Sequence, residues 1–169
     1  MQSRIIRNKT YGLLTIRSLR NGDTGTVAAL FGRLGNESRA RRFNGTKPRL
    51  SASELAQLAR VDAGRHALVA YVEGDPRPAA LAQLVRDAEL RTHAEIAFAV
   101  ADRYQGHGVG SALVELLAAD ARAAGLTHLT ATVQGSNAAA YSLIRKIANV
   151  VDVRYGAGEA SIVAAFQSA

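Results

Sequence analysis

The sequence predicts a single mixed α/β domain, an α+β mixed sheet that is antiparallel in its first half and parallel at one later junction. Three observations predict it. Three short apolar runs between His66 and Ala101, separated by turn-rich residues, read as an antiparallel meander. A strand-like run, Glu95-Ile96-Ala97-Phe98-Ala99-Val100, leads through the glycines 106, 108 and 110 into an apolar helical run ending at Gly125, and a further strand follows. Two strands flanking a helix in one sheet imply a parallel, right-handed crossover. Finally, the 169 residues contain no internal repeat or low-complexity linker.

Residues 1–11 read as an N-terminal extension, loose or at a sheet edge, and residues 12–169 as the domain. Leu13 to Leu19 is the first strand, broken by Asn21-Gly22-Asp23. Asp23 or Thr24 caps a helix running to about Leu34, with Val27, Leu30, Phe31 and Leu34 on one face and Gly35 ending it. Asn36 to Phe43 is short and basic, and Asn44 to Pro48 is a loop by composition. Ser51 or Ser53 caps the next helix, which carries Leu55, Leu58 and Ala59. Ala67–Val72 and Ala79–Arg86 pair across the turn Glu73 to Pro78, and the third meander strand spans about His93 to Ala101. The helix after Gly108 places Val109, Leu113, Leu116 and Leu117 on one face, with Glu115, Asp120 and Arg122 pointing away and Gly125 closing it. Thr127–Val133 is a strand, Ser136 to Ile147 a helix, and Val150–Tyr155 and Ala160–Phe166 are two last strands flanking Gly156-Ala157-Gly158.

Composition removes several function classes. Without cysteine there is neither a disulfide nor a thiolate metal site. His66, His93, His107 and His128 lie in different segments at no ligand spacing, so no metal is expected. The basic stretch Met1 to Lys9 has no apolar core of a signal peptide, and no run of about 18 apolar residues occurs, which predicts a soluble, cytoplasmic protein without a membrane partner. A formal charge of +7 favours anionic partners. With few aromatics and no nucleic-acid-reading motif, an anionic cofactor is favoured over a nucleic acid.

The glycine stretch is where that anion belongs. Uncapped amides and the positive end of a helix macrodipole attract phosphate, and glycine lets it approach the backbone closely. A dinucleotide-binding fingerprint fails, because Ser111 stands where its third glycine belongs and too little chain remains for a doubly wound sheet. A Walker loop fails as well, for want of Gly-Lys-Ser or Gly-Lys-Thr. The plain alternative is a tight turn, although three alternating glycines exceed what one turn requires.

The segment Val100-Ala101-Asp102-Arg103-Tyr104-Gln105-Gly106-His107-Gly108-Val109-Gly110-Ser111-Ala112-Leu113 resembles motif A of the GNAT superfamily of N-acetyltransferases. Its signature is Gln or Arg, two residues, Gly, one residue, then Gly or Ala, matched by Gln105, Gly108 and Gly110. The element order is similar to the GNAT acyl-CoA N-acyltransferase fold from about Leu13 to Phe166. Within the superfamily the chain most resembles the catalytic domain of bacterial protein lysine acetyltransferases that modify acyl-CoA synthetases, through Glu37 to Phe43, His66 to Ala70 and Ala94 to Ala97. Asp102 stands where most relatives have proline.

The resemblance implies acetyl-CoA as co-substrate and no metal. Its pyrophosphate would lie on the amides of Gly106, His107, Gly108, Val109, Gly110 and Ser111, beside Gln105. The pantetheine arm would pair with the backbone of Phe98 and Val100, left free where the parallel strands splay, and Asn137 would contact the pantetheine or the adenosine side. The acceptor would be a primary amine, a protein lysine in the subfamily, attacking the thioester directly in a ternary complex. A lysine amine near pKa 10.4 must first lose a proton, at about 4 to 5 kcal/mol at pH 7, so a base is required. Glu95 stands where the subfamily carries its catalytic glutamate, in an apolar strand where desolvation would raise its pKa. The bland reading is a solvated carboxylate.

The chain also departs from the family pattern. Ile144 occupies the place of the usual acid tyrosine, and Ala148-Asn149 that of Gly-Phe. Tyr141, one turn earlier, offers a substitute acid or a core aromatic, and Asn149 a left-handed helix cap. The cluster Arg39, Arg41, Arg42, Lys47 and Arg49 reads as a solvated face, with an acidic substrate or the CoA phosphates as the alternative. A homodimer is a family-level expectation. A catalytically silent acyl-CoA-binding or regulatory domain, and a nucleic-acid or nucleotide binder, are the competing functions.

Overall fold

The structure, a computed structural model, describes residues 3–43, 45 and 47–167; Asn44 and Thr46 of the expected loop lie outside them. Strands β1 (Arg4–Asn8), β2 (Gly12–Ser18), β3 (Arg65–Val72), β4 (Ala80–Arg86), β5 (His93–Val100), β6 (His128–Gln134), β7 (Asn149–Gly156) and β8 (Glu159–Ala165) form one mixed sheet. Their spatial order is β1-β2-β3-β4-β5-β6-β8-β7. Every pairing is antiparallel except β5 with β6. The parallel pairing is brief, joining only His93, Ala94 and Glu95 to His128, Leu129 and Thr130. Beyond it the two strands separate.

Among the described residues five α-helices cover the sheet: α1 (Thr24–Phe31), α2 (Asn36–Phe43), α3 (Ala52–Leu58), α4 (Val109–Ala123) and α5 (Ala138–Ile147). Because strand side chains alternate between faces, two contacts assign the layers. A Cβ on Gly110 of α4 would sit 3.1 Å from Val100 Cγ2, which puts α4 on the face of the even-numbered β5 residues. Arg42 of α2 donates to Gln83 Oε1 at 2.9 Å, and Gln83 is opposite Ala97, so α2 covers the odd-numbered face that also carries Glu95. The core between these layers is mostly aliphatic, with Tyr104 and Phe31 as its buried aromatics.

Local chemistry explains the helix ends. Asp23 caps α1 by accepting from Thr26. That helix stops at Phe31, short of the expected Leu34, because Arg33 and Leu34 continue it with three-residue-spaced bonds to Leu30 and Phe31. Leu34 nevertheless stays buried, so the apolar stripe outlasts the α-helix. Ser51, not Ser53, caps α3 in a reciprocal box with Glu54. Gly125 ends α4 with φ +80°, its amide on Arg122 O and that of Leu126 on Ala121 O, a Schellman arrangement.

Two expectations are corrected. Asp120 does not simply point away, since its carboxylate holds both Arg4 of β1, at 2.6 Å, and His66 of β3, at 2.9 Å. Asn149 takes no left-handed cap: Ala148 is extended, and Ala157 alone among the described non-glycine residues has positive φ. Of the two readings of the N-terminal stretch, the sheet-edge one holds for 4–8, a strand registered Arg4 to Ile16 on β2.

Candidate active site

A cavity of about 490 Å³ opens where β5 and β6 part. Its wall includes Glu95 to Val100 of β5, Ala131 to Val133 of β6, Gln105 to Ser111 in part, and residues of α2 and α5. The sheet register decides which backbone groups it sees. Ala101 donates to Ala79 O at 2.8 Å, and hydrogen-bonded and non-bonded pairs alternate along an antiparallel ladder. Ala97 and Ala99 therefore turn their N–H and C=O groups to β4. Ile96, Phe98 and Val100 turn theirs toward the gap. Consistent with that, the Val100 carbonyl accepts the Gln105 side chain at 2.9 Å.

The glycine turn follows from its dihedrals. Gly106 and Gly108 have φ of +74° and +84°, values that side-chain-bearing residues adopt at a cost. Gly108 is the N-cap of α4 and offers no side-chain acceptor, so the amides of Val109, Gly110 and Ser111 open into the turn without intrahelical partners. Gly110 is needed for close approach, since its missing Cβ would press on Val100 and Leu143.

Neighbouring groups hold this turn from three sides. Tyr104, fully within the core, donates its hydroxyl to Asp75 at 2.8 Å, and Arg33 pairs with the same carboxylate oxygen at 2.7 Å. The Arg77 amide, with Tyr104 and Arg33, holds the Asp75 carboxyl far below the usual carboxylate range against the opposing effect of desolvation. On the outside, Asn8 donates to His107 O at 2.9 Å, and the Tyr11 hydroxyl donates to Arg103 O at 3.1 Å. Asp102 accepts from Gly35 N at 3.1 Å and Ser38 Oγ at 2.6 Å, which ties α2 to the turn where a proline could not.

Most residues expected from the sequence meet here. Glu95, Phe98, Val100, Gln105, Gly106, Gly108, Gly110, Ser111 and Asn137 all line the cavity. Asn137 also caps α5 by accepting from Ala140 at 3.1 Å. Val109 buries its side chain completely and can offer only its amide, and His107 is exposed with its ring against Tyr11. Tyr141 is not on this wall; it lines an adjoining cavity with Arg145 and Tyr155. Glu95 is exposed, so the desolvated carboxylate expected from its apolar neighbours is not what the fold builds.

Residues that the sequence reading missed or set aside complete the wall. Lys146 of α5 reaches Ser111 Oγ at 2.9 Å, bringing a cation to the uncapped turn. The basic cluster is not a plain solvated face: Arg41 and Arg42 line the cavity, and Arg39 lies over the Phe31 ring. Burial pushes the Arg42 guanidinium below its ordinary pKa, while the charge of Glu95 pulls it back up. The four-residue spacing of Glu37 and Arg41 was the one available hint that this piece is helical.

The profile of the acetyltransferase (GNAT) family matches residues 35–148, from the start of α2 to the end of α5. The chain belongs to this family. The family is one of acetyltransferases. It is 34% identical over 116 residues to Acetyltransferase Pat of Mycolicibacterium smegmatis, covering 68% of this chain and 34% of that protein. The chain thus spans about a third of that relative's length. Its fold is similar to the GNAT domain of S. lividans PAT, with a TM-score of 0.84, 25% identity and 95% of each chain covered. It also matches the fold of yncA from Salmonella typhimurium, solved with its cofactor acetyl-CoA, with a TM-score of 0.66, 19% identity and coverage of 91% and 93%. In this chain no helix of the described residues is long and apolar enough to cross a membrane, and no three His, Asp or Glu among them gather as a metal site.

Proposed function

We propose that the cavity binds acetyl-CoA and that Glu95 is the base for acetyl transfer to a primary amine, with a protein lysine as the acceptor suggested by the similarity to Acetyltransferase Pat. The single observation that carries this is the strand gap itself. It presents the backbone of Phe98 and Val100, ends on the uncapped glycine turn and places a carboxylate on the opposite face.

The residues present fit the group. Amides from Gly106 to Ser111, with Lys146 beside Ser111, suit a pyrophosphate. The backbone of Phe98 and Val100 suits an amide-bearing arm added to a sheet edge, and Asn137 lies on the same wall. When bound, acetyl-CoA supplies an acyl group already activated as a thioester. Glu95 accepts the proton that an ammonium must lose before its nitrogen can attack. The Val100 amide, turned into the gap, is the donor available to negative charge on the acyl oxygen. No tyrosine lines this cavity among the described residues, so water in the open mouth serves as the acid and Tyr141 has its place on the neighbouring wall.

Acetyl-CoA should raise the melting temperature, and mixing it with a panel of amines and acyl-CoA synthetases should release free CoA. Glu95→Gln should lower kcat/KM at neutral pH by roughly 10² to 10⁴, with the loss shrinking as pH approaches the amine's own pKa. The thermal shift by acetyl-CoA should survive that substitution. Full turnover in Glu95→Gln removes Glu95 as base; no thermal shift removes the cofactor assignment.

A further inference from the structure

We infer that the acceptor carries a carboxylate close to its reactive amine and that Arg42 is the side chain that holds it, an inference resting on the acyltransferase reading above. The cations of the acceptor side are mostly spent. Arg41 pairs with Glu37 one helical turn away, and Lys47 pairs with Glu54. Arg39 stacks on Phe31 and donates to Phe31 O and Pro48 O. Arg42 differs. It lines the cavity with Glu95, and its one hydrogen-bond partner among the described residues is the neutral Gln83 Oε1. Among those residues no carboxylate lies within 4.0 Å of its guanidinium.

Gln83 is itself fixed, because its amide nitrogen donates to Leu58 O at 2.6 Å, so its oxygen is committed to Arg42. A half-buried cation with no carboxylate in contact is costly, and although the Glu95 charge offsets part of that cost, burial still lowers the Arg42 pKa. A guanidinium has five donors in a planar fork that matches a carboxylate in two-point contact. Arg42 can therefore take an anion on the donors that Gln83 leaves free.

The face of the sheet decides which anion. Arg42 lies with Gln83, Ala97 and Glu95 on the odd-numbered face, whereas the uncapped turn and Lys146 flank α4 on the other. A phosphate of the cofactor belongs to that second group. The anion reaching Arg42 arrives with the amine that Glu95 deprotonates. It comes either from a free amino acid or from an acidic residue next to a lysine.

The test uses matched acceptors: an ω-amino carboxylate against the alkylamine of equal length, and a lysine peptide with aspartate flanks against the same peptide with asparagine flanks. The wild-type protein should favour the carboxylated member of at least one pair by about tenfold or more in kcat/KM, and the pair that shows it identifies the source. With CoA in place of acetyl-CoA, so that nothing turns over, only that carboxylated member should raise the melting temperature. Arg42→Met should abolish both effects, Arg42→Lys should retain part of them, and acetyl-CoA should stabilise both variants as it does the wild type. Equal or better use of the neutral amines by the wild type overturns the inference and leaves the acyltransferase reading intact, a comparison that stands even if Arg42→Met does not fold. Absence of CoA release from every amine, together with no stabilisation by acetyl-CoA, overturns the reading itself.

Discussion

Asp75 is the residue through which the glycine turn is held to the body of the domain, and Asp75→Asn measures that hold. Its carboxylate accepts Tyr104 Oη at 2.8 Å, Arg33 at 2.7 Å and the Arg77 amide at 3.0 Å. The Arg33 and Asp75 side chains are only 9% and 13% exposed, so the pair is largely out of water. Asparagine keeps the shape and removes the charge. Arg33 is then left with the Arg77 and Pro78 carbonyls. Breaking a buried pair from one side costs about 3 kcal/mol, or roughly 6 to 12 °C in Tm for a domain of this size. The pH dependence has a definite sign. A carboxyl whose folded pKa is depressed adds stability that is fully present above its unfolded value, about 3.9, and is lost as pH falls toward the folded one. The stability gap between wild type and Asp75→Asn should thus be constant near neutrality and should close progressively below about pH 4. Urea denaturation at pH 7 and across the acid range measures it. A gap under about 0.5 kcal/mol at pH 7, the size of an ordinary surface change, or one unchanged by acid, refutes the argument.

Other consequences concern the turn and its supports. Gly108→Ala forces a side chain into φ +84° with its Cβ 3.4 Å from Asn8 Nδ2, so it should cost about 1 to 2 kcal/mol and most of the stabilisation by acetyl-CoA, read by thermal shift with and without ligand. Asn8→Ala should leave the core intact yet weaken acetyl-CoA binding, because it frees the His107 carbonyl, and calorimetric titration would measure the loss. Asp102→Ala should raise KM for the amine more than for acetyl-CoA, since it unties Gly35 and Ser38 of the α2 side, and steady-state kinetics with each substrate varied would separate the two. Ala157→Gly should stabilise by about 0.5 to 1 kcal/mol, because the hairpin between β7 and β8 holds this alanine at φ +52°, and chemical denaturation would detect the gain.

Much of the glycine turn could be read from the chain alone because its signals are local. Glycines at 106 and 108 turn a strand into a helix through left-handed dihedrals that depend on their own missing Cβ. The alternation of Ala94 to Val100 and the apolar stripe from Val109 to Leu117 are properties of neighbouring residues, and element order follows from them. The same locality misled where a distant group intervenes. Asp120 looks solvated on its own helix until β1 and β3 bring Arg4 and His66 against it. Glu95 looks buried between Ala94 and Ile96, whereas alternation along β5 sends its side chain to the opposite, open face.

The sequence by itself determined the domain's class, the strand-to-helix glycine turn and the family signature within it, since periodicity, turn chemistry and missing side chains act over a few residues. Tertiary structure alone decided what the turn faces. The placement of β8 between β6 and β7, the parting of β5 from β6 after Glu95, and the register that aims Phe98 and Val100 into that gap depend on pairing between strands far apart in the chain. So does the position of Arg42, one charge in a basic run until α2 lays it on Gln83 beside Glu95. A side chain's charge belongs to its residue; its solvation and its partners belong to the whole packed domain.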